Sequence, residues 1–478
     1  MRQIISRTTI PLLFAAASAV AQSIDAYNPM PLVYPTSISA QADGKIIIVG
    51  NFSSVGTTTM NGVARLNTDG SVDTTFANPV ANGEVKTLAV QPDGKVLIGG
   101  DFTAVGGQAR HSLARLNGDG SLDATFADPD FNAAIFALAL QPDGKVLAGG
   151  GFTLIGSHAQ NYFARIDANG GFDASFADPL LCCDPLVSAI ALQSDGDVLI
   201  GGAFSEAGGV SDHSYFARFS SAGVYDPDFP APSVGILPAS IVVAPDGSIY
   251  VGAAGTDTVV KLSSAGALIA GFAGAPTDGS IRTLALQPNG KIVIGGTFET
   301  IGGQPRHALA RLNADGSLDA SFADLNFSFD AGNPNSFIYG VAEQADGRIV
   351  AIGNFTLVNG QPRQYMARVT TGDYATSTLV VRPDGASVDV TWFRLGDGPE
   401  LTQPPTLLHS TDGVNFSAVG PMTYAPGGWH ASANYDVRGA RFYLKVIGAT
   451  GNGANNASPG LVESDVYSSD TIFADGFE

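Results

Sequence analysis

The hydrophobic and polar positions of the chain fall into short apolar runs separated by Asp-Gly and Gly-Gly dipeptides. Thr87 to Gln91 is one such run and ends at Pro92-Asp93-Gly94. A second, from Lys95 to Val105, ends at Gly106-Gly107. A third carries His111-Ser112-Leu113-Ala114-Arg115-Leu116-Asn117, and Asp119-Gly120 precedes a fourth from Ser121 to Phe126. Runs this short, bounded by residues that accept positive φ, predict four antiparallel strands joined by tight hairpins.

The unit repeats. Its first turn residue recurs at Asp43, Asp93, Asp143, Asp195, Asp246, Asn289 and Asp346, at spacings of 50, 50, 52, 51, 43 and 57 residues. Four strands on a period of this size suit a propeller blade, and seven turns predict seven blades. The seventh unit stops at Thr370-Thr371-Gly372-Asp373 without its last strand. Ser23-Ile24-Asp25-Ala26-Tyr27 matches Ser121-Leu122-Asp123-Ala124-Thr125, so the N-terminus is expected to supply the missing strand and close the ring. Arginine recurs at Arg65, Arg115, Arg165, Arg218, Arg311 and Arg368, and aspartate at Asp73, Asp123, Asp173, Asp226 and Asp319. The fifth unit replaces both, with Lys261 and Ile269, and lacks the Phe-Thr-x-x-Gly-Gly extension. The coupled change predicts that arginine and aspartate meet, as a bidentate pair.

The phrases Gln91 to Phe102 and Ala114 to Phe126 resemble the delta-60 repeat of secreted bacterial proteins. The resemblance spans about residues 25 to 370 and implies a propeller; that family has no common activity to carry over.

Beyond Ala375 the pattern changes to alternating strands at Thr378 to Arg382, Ser387 to Arg394, Thr406 to Ser410, Phe416 to Gly420, Trp429 to Tyr435 and Arg441 to Gly448. This spacing predicts a small β-sandwich over 375–450 with Trp392 in its core. Val388-Asp389-Val390-Thr391-Trp392 and Tyr443-Leu444-Lys445-Val446 are similar to fibronectin type III strands. Gly451 to Asp470 is rich in Gly, Asn and Ser and reads as a linker. The ending Ile472 to Glu478 resembles a tail of some gram-negative secreted proteins; a sorting or anchoring element and a docked terminus both remain open. The expected fold is thus all-β: a seven-bladed propeller over 22–374, a sandwich over 375–450, and a linker with an acidic tail over 451–478.

Composition adds a compartment. Arg2 and Arg7, the apolar stretch Ile10 to Val20 and Ala19-Val20-Ala21 read as a signal peptide over 1–21 cleaved after Ala21. Secretion, to the medium, cell surface or periplasm, is expected, with no transmembrane segment in the mature chain. The 478 residues carry 24 Lys+Arg against 44 Asp+Glu. Removing two arginines with the signal takes the net charge from −20 to −22. Nucleic acid is excluded as a partner by this sign.

Candidate chemistry is sparse. Asn67-x-Asp69-Gly70-Ser71-x-Asp73 resembles part of a calcium loop, but Arg65 and Phe76 stand where further ligands belong, so no cofactor is expected and calcium has no full motif. His111 and His307 share a repeat position held elsewhere by Asn61 and Asn161, which suits hydrogen bonding rather than catalysis. The blade-to-blade connections vary: Phe76 to Leu88 spans 12 residues, Phe176 to Ile190 spans 14 and Phe322 to Val341 spans 19. The longest carries Phe327, Phe329, Phe337 and Tyr339, and the middle one carries Cys182 and Cys183, either a vicinal disulfide or two thiols. These six residues are the candidate ligand-binding positions, with packing as the competing role for the aromatics. The expected function is a monomeric, non-catalytic binding or scaffold protein for a protein or carbohydrate; the alternative is an extracellular hydrolase or lyase with its site at the propeller mouth.

Overall fold

A computed structural model describes residues 22–468 except 42, 183–185, 212–213, 231–235, 255–257, 331–335, 372–375, 385–386, 397–398, 402, 426–427, 434–441 and 454–455. Among the described residues every regular element is a β-strand. The segment read as a signal peptide, Cys183, His213 and the terminal tail lie outside them.

The Asp-Gly turns form where the sequence puts them. Gln91 N donates to Lys95 O at 2.7 Å, Asp93 Oδ1 accepts from Lys95 N at 3.0 Å, and Gly94 takes φ 83°. Each turn joins an inner strand to a second, and a third returns beside the second. The inner strands are Pro35–Ala40, Glu84–Val90, Ile135–Leu140, Leu186–Leu192, Ile236–Val243, Ile281–Leu286 and Phe337–Glu343. The second strand is shorter than the sequence suggests. In the second repeat it covers Val96–Asp101, and Ala104–Val105 then folds onto Gln108–Ala109 around Gly106 and Gly107. Their φ values of 58° and 76° are those of a type I′ turn. The fourth strand shrinks to one bridge, Leu116 to Leu122. Asp123 Oδ1 then accepts Thr125 N and Oγ1 at 3.0 and 2.5 Å and turns the chain away.

Consecutive inner strands pack on one another, and Phe337–Glu343 packs on Pro35–Ala40. Glycine permits this closeness. A Cβ on Gly149 would fall 2.5 Å from Val187 Cγ1 of the next repeat, and one on Gly99 would fall 2.8 Å from Ile135 Cγ2. Ser23–Ile24 pairs antiparallel with Met366–Thr370, Ser23 opposite Thr370.

Arginine and aspartate meet in each repeat that has both. Arg115 Nε bonds Asp123 Oδ2 at 2.8 Å, and its guanidinium lies 4.6 Å from the Phe126 ring centre. Its Nη1 reaches Ala168 O of the next repeat at 2.7 Å. The two-oxygen fork expected from the sequence does not form. Lys95 Nζ shares Oδ2 at 2.8 Å, and Oδ1 is occupied by Thr125. Burial opposes the charge of Asp123, but the bonds from Lys95, Thr125 and Arg115 outweigh it and hold the carboxyl well below the usual carboxylate range. Arg368 finds its aspartate in the N-terminal segment: Nε bonds Asp25 Oδ2 at 2.6 Å, and Nη1 reaches Thr68 O at 2.5 Å. Tyr27 lies under that guanidinium at 4.5 Å. It therefore fills the place of Phe126 rather than of Thr125, because the N-terminal copy is one residue shorter. In the fifth repeat the matching backbone bond is kept, Ile269 N donating to Lys261 O at 3.0 Å. There the Lys261 ammonium lies over the rings of Tyr250 and Phe272, at 4.9 and 5.8 Å.

The C-terminal region contributes two sets of four paired strands, the second lying within a ten-stranded sheet that also takes in strands of the first and fourth repeats. One joins Thr376–Asp384, Ser387–Leu395, Gly428–Ala433 and Thr423–Ala425; the other joins Ser417–Pro421, Thr406–Ser410, Tyr443–Gly453 and Asn456–Ser468. Val390 and Trp392 of the first share a buried core with Leu407, Leu444 and Val446 of the second. The linker read over Gly451 to Asp470 is corrected: Tyr443–Gly453 and Asn456–Ser468 pair antiparallel, so strand reaches through Ser468. The pair reaches the inner strands, Gly453 pairing with Ser39 and Asn456 with Ile190. Glu400 N donates to Leu286 O at 2.9 Å, so this region sits on the side of the Asp-Gly turns.

Candidate binding site where the inner strands converge

Each inner strand breaks its ladder at one shared position, and the fifth breaks a second time at Leu237. Val85 pairs with Gly100 and Thr87 with Gly99, which leaves Lys86 as the extra residue of a β-bulge. The same happens at Thr36, Phe136, Ser188, Ala239, Arg282 and Tyr339. All stand seven residues before their turn Asp or Asn. The residue before the bulge is always Pro, Val or Ile, and the second residue after it is always aliphatic. The bulged position alone in this stretch runs through Thr, Lys, Phe, Ser, Ala, Arg and Tyr. A bulge frees a residue from the ladder and re-aims its side chain. The bulged residues, with Tyr34 and Glu84, line a single cavity of about 310 Å³.

Its walls are aromatic and its charges uneven. Lys86 is ion-paired with Glu84, and its ammonium lies 5.4 Å from the Phe136 ring centre. Arg282 is exposed and lies 5.5 Å from the Tyr339 ring centre. Tyr34 packs on Tyr339 at 5.1 Å and on Phe337 at 6.2 Å. Burial, with a hydrogen bond to Tyr34, pushes the Tyr339 phenol up to about 12. It is therefore protonated and a weak acid at neutral pH. Thr36 Oγ1 donates to Val85 O at 2.7 Å, and Ser188 Oγ donates to Pro238 O at 2.9 Å. Each hydroxyl thus ties its own bulge to the residue before the next one.

The residues singled out from sequence part company. Tyr339 lines the cavity, and Phe337 packs behind it at 4.8 Å. Phe327 is fully buried, edge-on to Phe355 at 4.8 Å, in a short strand paired with Leu357–Val358. That is a core position and not a recognition surface, a correction that follows from the strand the connection forms. Phe329 is half-buried, and its carbonyl accepts the Thr356 hydroxyl. Cys182 is disulfide-bonded, bridges Glu206 through its backbone and does not line the cavity. His111 and His307 bond Asp128 and Asp324 at 2.7 and 2.6 Å, the hydrogen-bonding role their interchange with asparagine suggested. In the calcium-like loop Asp69 caps Ser71, while Asp73 is taken by Arg65 and Lys45. Among the described residues no three His, Cys, Asp or Glu group to hold a metal. Sequence reading missed Thr36, Lys86, Phe136, Ser188, Ala239 and Arg282. Their signal was one irregular column in an otherwise regular repeat.

An all-β chain of repeated meanders around converging inner strands is a β-propeller repeat protein. Its segments 41–76, 91–126, 141–176, 193–229, 287–322 and 344–373 match the DUF5122 β-propeller, a domain of unknown function. The interval between the fourth and fifth of these holds the fifth repeat, whose arginine and aspartate are replaced. Curated proteins gave no match. Among solved structures, a streptogramin B lyase is 13% identical with TM-score 0.46, covering 73% of this chain and 97% of its own. A chain of the mitotic checkpoint complex is 12% identical with TM-score 0.41, covering 72% and 96%. A gluconolactonase from Xanthomonas campestris is 16% identical with TM-score 0.34, covering 56% and 84%. Likeness this distant carries no inference about activity.

Proposed function

We propose that this is a secreted, non-catalytic binding protein: a seven-bladed propeller of delta-60 type, closed by its N-terminal strand and covered on the turn side by a fibronectin-like sandwich. Its ligand sits where the bulges converge. The observation that carries this is the bulged column itself. A position used only for packing would repeat with the rest of the strand, whereas side chains aimed into one cavity and different in every repeat make an asymmetric surface on a symmetric frame. Binding is favoured over turnover because the one carboxylate lining the cavity, Glu84, is held by Lys86. The phenol of Tyr339, pushed up to about 12, is no base at neutral pH.

The test is a screen of small saccharides and short peptides by ligand-observed NMR. Binding that is lost in Tyr339→Ala and Phe136→Ala, with the melting temperature nearly unchanged, supports the reading. Hits indifferent to both substitutions, or chemical conversion of a hit, overturn it.

A further inference from the structure

Resting on that cavity as the binding site, we infer that its ligand is a carboxylated sugar ring of the uronic-acid type. Arg282 makes the first part of the argument. Its guanidinium lies along the Tyr339 ring and makes no ion pair with a carboxylate among the described residues. The other lining cation, Lys86, is already neutralised by Glu84. The cavity therefore offers one uncompensated positive charge, in the planar form that grips a carboxylate by two N–H groups. The chain's net charge of −20 does not cancel this locally. Salt screens distant charges over about 8 Å at physiological ionic strength, and a cation in contact with the ligand acts inside that length.

The hydroxyls make the second part. Thr36 and Ser188 spend their single protons on Val85 O and Pro238 O. What they present to the cavity is lone pairs, which suit a ligand bearing hydroxyl donors. A simple aromatic acid has no such donors, and a neutral sugar leaves Arg282 unmatched. The walls make the third part. Phe136 and Tyr339 give the cavity aromatic walls suited to the C–H groups of a ring, and the volume of about 310 Å³ sets the ligand at one or two rings. Ser39, which pairs with Gly453 of the C-terminal region, stands three residues beyond Thr36, roughly 10 Å along the strand.

The experiment compares galacturonate with galactose by titration calorimetry, because the two differ only in the carboxylate. Wild type is expected to bind galacturonate at least about tenfold more tightly than galactose. Arg282→Gln should erase that difference, and Arg282→Lys should keep part of it. Arg282 is exposed and makes no ion pair among the described residues, so the melting temperature of both variants should stay close to wild type. Equal binding of the two sugars by wild type overturns the assignment, as does a preference that survives Arg282→Gln. Benzoate separates the two levels. If it binds in a Tyr339-dependent way while galacturonate does not, the cavity stands as a site and the sugar acid falls. If no probe depends on Tyr339, both fall.

Discussion

The second and fifth repeats keep the same bond at the outer strand with different chemistry around it, although the fifth lacks the Gly-Gly hairpin of the second. In both, the residue after the outer bridge donates its N–H to the third strand: Asp123 to Arg115 O at 2.8 Å, and Ile269 to Lys261 O at 3.0 Å. The second repeat adds an ion pair, a lysine, a stacked ring and a bond to its neighbour's carbonyl. The fifth keeps only a cation over two rings. The meander is thus set by turns and apolar periodicity, and the staple is an addition that joins one repeat to the next.

The largest test removes a staple together with its strand. Deleting residues 23–29 takes Asp25 and Tyr27 from Arg368 and uncovers the edge of Met366–Thr370. The seventh repeat would then have less than the fifth, with no aromatic substitute, and the melting temperature should fall further than for any point variant below. A truncated protein that melts with the full chain would remove the N-terminal segment from the closure of the ring.

Single residues come next. Asp123→Ala should cost about 3 kcal/mol, since it leaves the buried Arg115 without its carboxylate, and Arg115→Ala somewhat less, since Lys95 still pairs with Asp123. The double variant should cost less than their sum, which a double-mutant cycle on denaturant unfolding measures. Lys261→Ala should cost about 1 kcal/mol or less. The pH profile separates the repeats in the same way. Asp73, Asp123, Asp173 and Asp319 are held below the ordinary range in the folded chain. Their contribution is therefore fully present above the unfolded value of about 3.9 and is lost as pH falls from there toward the folded values. Asp123→Ala should flatten the dependence of stability on pH below about 4, while Lys261→Ala should leave it unchanged.

A control shows whether the fifth repeat is softer throughout. Gly99 and Gly252 occupy the same second-strand position, and a Cβ on either would lie 2.8 Å from an isoleucine of the next repeat, Ile135 or Ile281. Alanine at each should cost about 1–3 kcal/mol by overpacking. Equal losses in thermal unfolding would confine the difference between the repeats to the staple. A much smaller loss at Gly252 would extend it to the packing between repeats.

What could be read from sequence followed what repetition makes visible. The Asp-Gly turns, the inner strands and the meeting of Arg115 with Asp123 are repeated, so their periodicity and coupled loss in the fifth unit expose them. The bulged column was hidden for the opposite reason. Thr36, Lys86 and Arg282 share no chemistry, and a bulge leaves no residue signature of its own. Connection length points to Tyr339 and also to Phe327, because length cannot distinguish a loop that displays its aromatics from one that forms a strand and buries them. The C-terminal strand pair was misread because a Gly/Asn-rich stretch does not exclude strand, and only pairing partners tell strand from linker.

The smallest expected effect is also the most specific: installing the missing staple. Lys261→Arg with Ile269→Asp restores the pair on a backbone that already holds the right hydrogen bond. Phe272 stands where Phe126 stands, and the Lys261 ammonium already lies over it. Two elements of the second repeat would still be lacking. Ser248 occupies the place of Lys95, so the new carboxylate would have one cation instead of two. Gly271 holds the place of Thr125, so no hydroxyl would orient the carboxylate, and Ile269 is half-buried. The gain should therefore be only about 0.5–1 kcal/mol, the range of a partly exposed pair. The single variants give the sign of the coupling. Lys261→Arg alone should be nearly neutral, and Ile269→Asp alone should destabilise by losing apolar contact, so the double variant should exceed their sum. Strict additivity in that cycle would mean that the pair is not sufficient as a staple and that the lysine and hydroxyl partners are what make it one.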